Sequence, residues 1–307
     1  MYIYLPIAEM TVNIFLILGL GGVTGLLSGM FGVGGGFLMT PFLIFMGIPP
    51  AVAVSSSANQ IIAASFSGFL AHWRRANVDI KMGIVIIIGG FIGSSLGVGI
   101  FAILSDMGYI DLVISLCYVV FLGSIGTLMA FESIKIILTK RRGNIVKPRE
   151  RKNWLTKLPL PFVIKFPRSG VKISAILPVC VGIFAGVLVS LMGIGGGFVM
   201  IPAMIYILGM PTSVVIGTSL FQIVFITANV TILQSVSTHT VDVVLALLML
   251  ASSVIGAQFG TRIGLKLPAE QLRAMLAIMV LAVVIKLALG LLITPDNPFS
   301  IIMVNGS

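Results

Sequence analysis

Two glycine-rich segments carry the residue pattern in this sequence that best suits anion binding. They read Gly32–Val33–Gly34–Gly35–Gly36 and Gly193–Ile194–Gly195–Gly196–Gly197, and each interrupts an apolar run. Adjacent glycines are poor helix formers, and irregular backbone at membrane depth occurs where it is buried in protein or lines a cavity. Such a loop leaves N–H groups unpaired, and the helix that follows adds the positive end of its dipole. The alternative is that the glycines only let helices cross closely. The glycines predicted to face the anion are Gly34, Gly35, Gly36, Gly195, Gly196 and Gly197.

Small polar side chains follow each glycine segment at the start of another apolar run. Ser57 and Gln60 are three residues apart and therefore share a helix face, as do Ser219 and Gln222. Hydroxyl and amide donors suit an oxyanion whose charge is spread over several oxygens. Hydrogen bonding between helices, which is common for such residues in membranes, is the alternative. The polar residues predicted to bind substrate are Ser56, Ser57, Asn59, Gln60, Thr218, Ser219, Gln222 and Asn229.

Ionisable residues inside the apolar runs are few. Lys286 lies near the middle of run 270–293, and a charged residue in a span is a functional candidate by default. A fixed cation would attract an anionic substrate, although a lysine can also extend its side chain to the interface. Asp79 and Asp242 stand at the starts of runs, where we expect them to cap helices.

Several absences narrow the function class. No carboxylate lies near the centre of an apolar run, which argues against proton coupling through an Asp or Glu relay. The sequence has no HExxH, CxxC or Walker motif, so we predict no metal, no cofactor and no catalytic residue. An integral-membrane enzyme acting on a lipid or isoprenoid is a weaker alternative, since it would need such a cluster.

The composition indicates what must position these residues. Of the 307 residues 58% are apolar and only 9% are charged, which excludes a soluble globular protein. A spanning helix needs about 20 apolar residues, and the sequence has ten apolar runs, five on each side of a polar stretch. We therefore predict an all-α, polytopic integral membrane protein with Gly-rich broken segments, divided into repeat 1–138, loop 139–172 and repeat 173–307.

The two sets of five runs are an internal duplication. Gly25 to Pro41 reads GLLSGMFGVGGGFLMTP, and Gly186 to Pro202 reads GVLVSLMGIGGGFVMIP, 161 residues later. Single insertions then shift the offset, so that Gln60 corresponds to Gln222. The fourth run of each half carries a GxxxG step, Gly93/Gly97 and Gly256/Gly260, for which we favour close helix packing.

Basic residues orient the two halves. Residues 139–172 hold 11 of the 19 Lys and Arg residues and one of the nine acidic residues, which predicts a cytoplasmic loop next to anionic lipid rather than a nucleic-acid surface. Connections 72–81 and 262–273 are also basic, whereas 105–110 and 235–241 have no Lys or Arg and are predicted to be external. Equivalent runs therefore cross in opposite directions, an inverted-topology repeat typical of secondary transporters. Charge leaves open whether the first two runs of each half form a hairpin or one broken span.

The paired GxGGG-xxxx-P motifs, the polar starts of the third runs and the basic loop between inverted halves resemble the sulfite exporter TauE/SafE family. The resemblance covers residues 12–293. It implies a plasma-membrane permease that exports a small sulfur-containing anion, such as sulfite or an organosulfonate, and is not an enzyme. An anion channel remains an alternative, because inverted repeats occur in channels and carriers.

Overall fold

A computed structural model describes residues 1–131, 161–264 and 269–292. Most of loop 139–172 lies outside the described residues. In the first half a β-hairpin precedes five helices, the last of which contains a π-helical turn at Tyr118–Leu122. These elements are β1 (Tyr2–Leu5), β2 (Met10–Asn13), α1 (Ile14–Phe31), α2 (Gly36–Phe45), α3 (Pro50–Trp73), α4 (Ile80–Asp106) and α5 (Ile110–Phe131).

The second half repeats this order of elements. They are β3 (Val163–Phe166), β4 (Val171–Ser174), α6 (Ile176–Met192), α7 (Gly197–Tyr206), α8 (Thr212–Ser237), α9 (Val243–Gly264) and α10 (Ala269–Leu292). Within the described ranges, five helices are long and apolar enough to cross a membrane: α1, α4, α5, α8 and α9. The prediction of a largely helical, polytopic membrane protein is confirmed.

The two β-hairpins are absent from the sequence prediction. β1 pairs antiparallel with β2, and β3 with β4 in the same way. Each hairpin tip is tied to an aspartate at a helix start in the other half: Asp242 Oδ2 accepts from Ile7 N at 3.0 Å, and Asp79 Oδ2 accepts from Ser169 N at 3.0 Å. The same two aspartates accept from the third backbone N–H after them, so their predicted role as helix caps is confirmed.

The second helix of each half is too short to span. At about 1.5 Å per residue, the 10 residues of α2 reach about half of the roughly 30 Å hydrocarbon core. Met39 Sδ lies 3.7 Å from Thr24 Oγ1, and a Cβ atom built on Gly35 would lie 3.1 Å from Ser28 Cβ. Because later residues of α2 meet earlier residues of α1, α2 folds back along α1. The first two runs thus form a helical hairpin and not one broken helix, which favours the hairpin of the two alternatives that charge left open.

Glycines bring helices of different halves into backbone contact. α1 packs along α9, and its counterpart α6 packs along α4. A Cβ atom built on Gly97 would lie 2.8 Å from Ser190 Cβ, and one on Gly260 would collide with the carbonyl of Leu26. The favoured interpretation of the GxxxG steps as close packing sites is confirmed.

The third helices, α3 and α8, lie side by side at the centre and run antiparallel. Ser55 near the start of α3 shares a 2.6 Å hydrogen bond with Thr240, just beyond the end of α8. At the opposite end, a Cβ atom built on Gly217 would lie 3.0 Å from His72 Cβ. These two equivalent helices, one from each half, therefore point in opposite directions.

Candidate functional site

The two glycine loops meet each other beside the midpoints of α3 and α8. A side chain on Gly36 would collide with the carbonyl of Gly193, and one on Gly197 with the carbonyl of Val33. The Phe37 and Phe198 rings stack across this junction with centroids 5.7 Å apart. The predicted anion-site glycines of both halves are thus brought together, and they are all buried.

The backbone of each loop requires glycine. Residues 32, 34 and 35 have φ values of 71°, 91° and 76°, and residues 193, 195 and 196 have values of 63°, 75° and 73°. These values lie in the left-handed region, which side chains with a Cβ atom adopt only at a cost. Gly32 ends α1 by donating its N–H to Ser28 O at 2.8 Å, and the chain then reverses into α2.

Buried backbone donors remain free in both loops. Among the described residues, no acceptor pairs with the backbone N–H groups of Gly34 and Gly35, nor with those of Gly195 and Gly196. These groups stand at the start of a half-helix, where the helix dipole is positive. Buried N–H groups are almost always paired, so each loop has donors in place for an anion.

The first loop adds free hydroxyl groups to these donors. Ser28 and Ser65 are fully buried, and neither hydroxyl has a partner among the described residues. Ser65 Oγ lies 3.5 Å from a Cβ atom built on Gly34, and Ser28 Cβ lies 3.1 Å from one built on Gly35. We call Ser28, Gly34, Gly35 and Ser65 the first cradle. It is a neutral set of hydrogen-bond donors, which suits a desolvated oxyanion.

Gln60 and Thr24 support the first cradle. Gln60 Nε2 donates to Thr24 Oγ1 at 2.9 Å, and Thr24 donates to Leu20 O at 2.8 Å. The bond fixes the amide of Gln60 between α3 and α1, while Gln60 Oε1 is buried without a described partner.

The second loop has apolar surroundings where the first has hydroxyl groups. Counting along the repeat, Thr24 and Ser28 correspond to Ala185 and Val189. A Cβ atom built on Gly196 would lie 2.7 Å from Val189 Cγ2. Thr227, the counterpart of Ser65, already donates to Ile223 O at 2.6 Å. Gln222, the counterpart of Gln60, has its Nε2 3.8 Å from Met204 Sδ, which is a weak acceptor.

Ser57 and Ser219 each reach the loop of the opposite half. Ser219 donates to Gly32 O at 3.0 Å, and Ser57 Oγ lies 3.4 Å from Gly193 O. Thr40 joins Ser57 through a 2.8 Å hydrogen bond, and Tyr118 donates to Met192 O at 2.6 Å. These contacts hold the ends of α1 and α6 against the central helices, so the two predicted serines lie at the loops.

Other predicted residues lie away from the loops. Ser56 accepts from Asp242 N and Thr218 from Asp79 N, both at 2.9 Å, so their hydroxyls join helices as the alternative interpretation held. Asn229 donates to Ser94 Oγ at 2.8 Å, two turns along α8 from Gln222. Asn59 is half-buried, and its side-chain nitrogen has no partner among the described residues.

Lys286 is not brought to the glycine loops. Its side chain is exposed, and Nζ lies 4.1 Å from the centroid of the Phe45 ring at the end of α2. The amine is exposed at the end of α2 and is not buried at the junction of the loops, so the structure does not bring it to the other predicted residues. A cation–π contact of this kind explains the residue without a ligand.

Sequence comparison of the halves missed Thr24, Ser28 and Ser65. The search for repeated residues favours positions that match, and these three differ between halves. The available signal is the spacing of Thr24 and Ser28, which lie four residues apart on the helix face that leads to the first glycine loop.

Comparison with known proteins gives consistent matches over most of the chain. The sequence profile of the family described as "Sulfite exporter TauE/SafE" matches residues 17–287. The probable membrane transporter protein YjnA of Bacillus subtilis is 28% identical over 91% of this chain and 100% of its own length. A probable membrane transporter protein of Xylella fastidiosa is 26% identical over 89% of this chain and 94% of its own. No solved structure gives a significant match.

Proposed function

The chain belongs to the sulfite exporter TauE/SafE family of membrane transporters, and from this premise we propose that it exports a small oxyanion, a sulfur oxyanion such as sulfite or an organosulfonate. The single observation that carries the anionic substrate is the first cradle. There, the buried backbone N–H groups of Gly34 and Gly35 and the hydroxyls of Ser28 and Ser65 have no partner among the residues that the structure describes. We expect a ligand with several acceptor oxygens to accept hydrogen bonds from these groups.

A carrier rather than a channel fits the burial of this site. Gly34, Gly35, Ser28 and Ser65 are all buried, so an anion bound there is closed off from water on both sides. Entry and release then require a conformational change, as in alternating access, which inverted repeats perform around a site near the membrane midplane.

The membrane orientation that we propose places the ends of α3 and α9 and the basic loop in the cytoplasm of a plasma-membrane protein. The antiparallel course of α3 and α8 supports inverted halves, and the positive-inside rule supplies the direction. Cysteines introduced at Gly108 and Ser237 should react with an impermeant thiol reagent from outside, whereas one at Ala76 should not. The native thiols Cys117 and Cys180 are first replaced by serine. Labelling at Ala76 from outside would reverse the assignment.

The direction of transport follows from charge. Moving one charge through 100 mV is worth about 2.3 kcal/mol. A cytoplasm that is electrically negative relative to the outside therefore drives an anion out without a coupling ion. The cradle has no carboxylate among its residues, which agrees with uncoupled export.

The test is flux from proteoliposomes loaded separately with sulfite, thiosulfate, sulfate, taurine or sulfoacetate. A potassium–valinomycin potential is imposed at equal internal and external pH, with and without a protonophore. We expect saturable efflux of one or more sulfur anions that rises as the inside becomes more negative and ignores the protonophore. Flux that follows only an imposed pH gradient would contradict uncoupled export, and no flux of any member would contradict the substrate class.

A further inference from the structure

Three arginines line a cavity where α3 and α9 end. The cavity measures about 380 Å³, enough for about a dozen waters at about 30 Å³ each. Its lining side chains come from two helices and the turn after α3: Ser67, Leu70, Ala71, Arg74, Arg75, Gln258, Thr261 and Arg262. We call this cavity the basic pocket.

Three guanidinium groups make the basic pocket strongly positive. Arg74, Arg75 and Arg262 are exposed, and their guanidinium groups have no ion-pair or hydrogen-bond partner among the described residues. Only the backbone N–H groups of Arg74 and Arg75 are bonded, to Leu70 O and His72 O. No carboxylate is among the described residues that line the cavity. Each guanidinium presents a fork of donors that matches the oxygens of an oxyanion, and three converging cations raise the local anion concentration.

The basic pocket has no equivalent in the other half. Counting along the repeat, Arg74 and Arg75 correspond to Val236 and Ser237 at the end of α8, and Arg262 corresponds to Gly99 on α4. The duplicated scaffold therefore carries the cations at one end of the central helix pair and none at the matching positions of the other end. Packing of the scaffold does not require them.

One face of α3 leads from the basic pocket to the first cradle. Gln60, Ala64, Ser67, Ala71 and Arg74 follow one another at spacings of three and four residues and so lie on one side of the helix. At about 1.5 Å per residue, Ser67 is about 10 Å along the axis from Gln60. Ala64 between them is fully buried. Ser65 of the first cradle stands two residues before Ser67 of the pocket, about 3 Å along the axis but on a different side of the helix.

We propose that the basic pocket is a second binding site for a small oxyanion, which collects the anion at the proposed cytoplasmic mouth before it enters the first cradle. The identity of the ligand rests on the proposed function. In the basic pocket, exposed arginines attract the anion by charge, so its affinity falls as the salt concentration rises. In the first cradle, buried neutral groups bind the anion by hydrogen bonds.

The test measures anion binding directly. Thiosulfate and sulfite are titrated calorimetrically into protein held in phosphatidylcholine nanodiscs, in wild type and in a Gly35→Val variant whose cradle is blocked. If Gly35→Val does not fold, the double variant Ser28→Ala/Ser65→Ala replaces it. We expect the blocked variant to keep one binding event, weakened at least tenfold between 50 and 500 mM sodium chloride.

Charge variants then locate that event. The triple variant Arg74→Gln/Arg75→Gln/Arg262→Gln should bind the anion at least tenfold more weakly. The corresponding triple lysine variant should recover most of the wild-type affinity. Lys81→Gln removes a positive charge at the same end of the molecule but outside the basic pocket, and should change affinity less than twofold. Unchanged binding in the triple glutamine variant, with its melting temperature preserved, would overturn the proposal.

Two further outcomes distinguish this proposal from a lipid-binding site and from the proposed function. Nanodiscs that contain phosphatidylglycerol test for a lipid site. If wild type but not the triple variant retains that lipid, and anion affinity is the same in both, the pocket binds headgroups and the proposal fails. If arginine-dependent binding is found but proteoliposomes show no flux, the proposed function fails and the basic pocket stands.

Discussion

The two glycine loops have the same backbone but different surroundings, and the difference separates what the fold needs from what a ligand needs. Both loops contain three glycines with positive φ, and in both a glycine packs against a backbone carbonyl of the other half. Only the first is faced by free hydroxyls, from Ser28 and Ser65, where the second has Val189 and a Thr227 that is already bonded. The shared features build the junction of the halves, and the unshared ones support our proposal that the first loop binds the anion.

The largest effect is expected from filling the two loops. Gly35→Val places a branched side chain in the left-handed region and 2.9 Å from the fixed Thr24 carbonyl oxygen, so it removes the cradle. We expect transport to fall below about 1% of wild type, since two or more hydrogen bonds to an anion, each worth about 1.5–3 kcal/mol, are lost. Gly196→Val meets the movable Val189 side chain first and should retain more flux.

Flux per folded molecule is the measurement, with monodispersity in gel filtration as the control. The alanine pair, Gly35→Ala and Gly196→Ala, repeats the comparison if either valine variant aggregates. Equal losses at both loops would show that they act as one structural unit and not as site and scaffold.

The next effect concerns the hydroxyl groups. Ser28→Ala and Ser65→Ala each remove one donor to a charged ligand, worth about 1.5–3 kcal/mol, so each should raise the half-saturating anion concentration about tenfold or more. Thr227→Ala is the matched control, because its hydroxyl is committed to Ile223 O. A shift with Thr227→Ala as large as that with Ser65→Ala would remove the distinction between the loops.

A smaller effect is expected from the supporting glutamines. Gln60→Leu breaks the 2.9 Å bond to Thr24, and a net hydrogen bond of about 0.5–1.5 kcal/mol corresponds to a two- to twelvefold change in apparent affinity. Gln222→Leu loses only the weak contact with Met204 Sδ at 3.8 Å. In anion titrations Gln60→Leu should therefore bind more weakly than Gln222→Leu. The reverse order would contradict the supporting role of Gln60.

The smallest effect is expected at Lys286. The amine is exposed over Phe45, and an exposed cation–π contact is worth about 0.5–1 kcal/mol. Lys286→Gln should lower thermal stability slightly and leave both the maximal flux and the half-saturating concentration within about twofold. A loss of flux comparable to that of Ser28→Ala would return Lys286 to the transport pathway.

Much of the fold can be predicted from the sequence because it depends on local patterns. Apolar runs locate the helices, the matched glycines locate the loops, and the position of Asp79 and Asp242 predicts helix caps. The hairpins escape prediction because their strands are four residues long and lie in a terminal stretch and in the basic loop.

The binding site is harder to predict because its members are distant in sequence. Ser28 and Ser65 come from different helices, and each lies beside one of the two adjacent glycines Gly34 and Gly35. Lys286 is a different case: α10 is apolar on most sides, so its sequence does not tell which face is outside. Position within a run predicts depth in the membrane but not direction around the helix.

The packing of helices from one half against helices of the other half also affects how the protein folds during synthesis. The glycine-lined face of α1 is covered by α9, whose first residue, Val243, is synthesised more than two hundred residues after the end of α1. Likewise, Asp79 at the start of α4 holds a hairpin tip at Ser169 that follows much later in the chain. Contacts so far apart in sequence close slowly. The first half therefore enters the bilayer with its closest-packing surface uncovered, and completes its own fold only when the second half arrives.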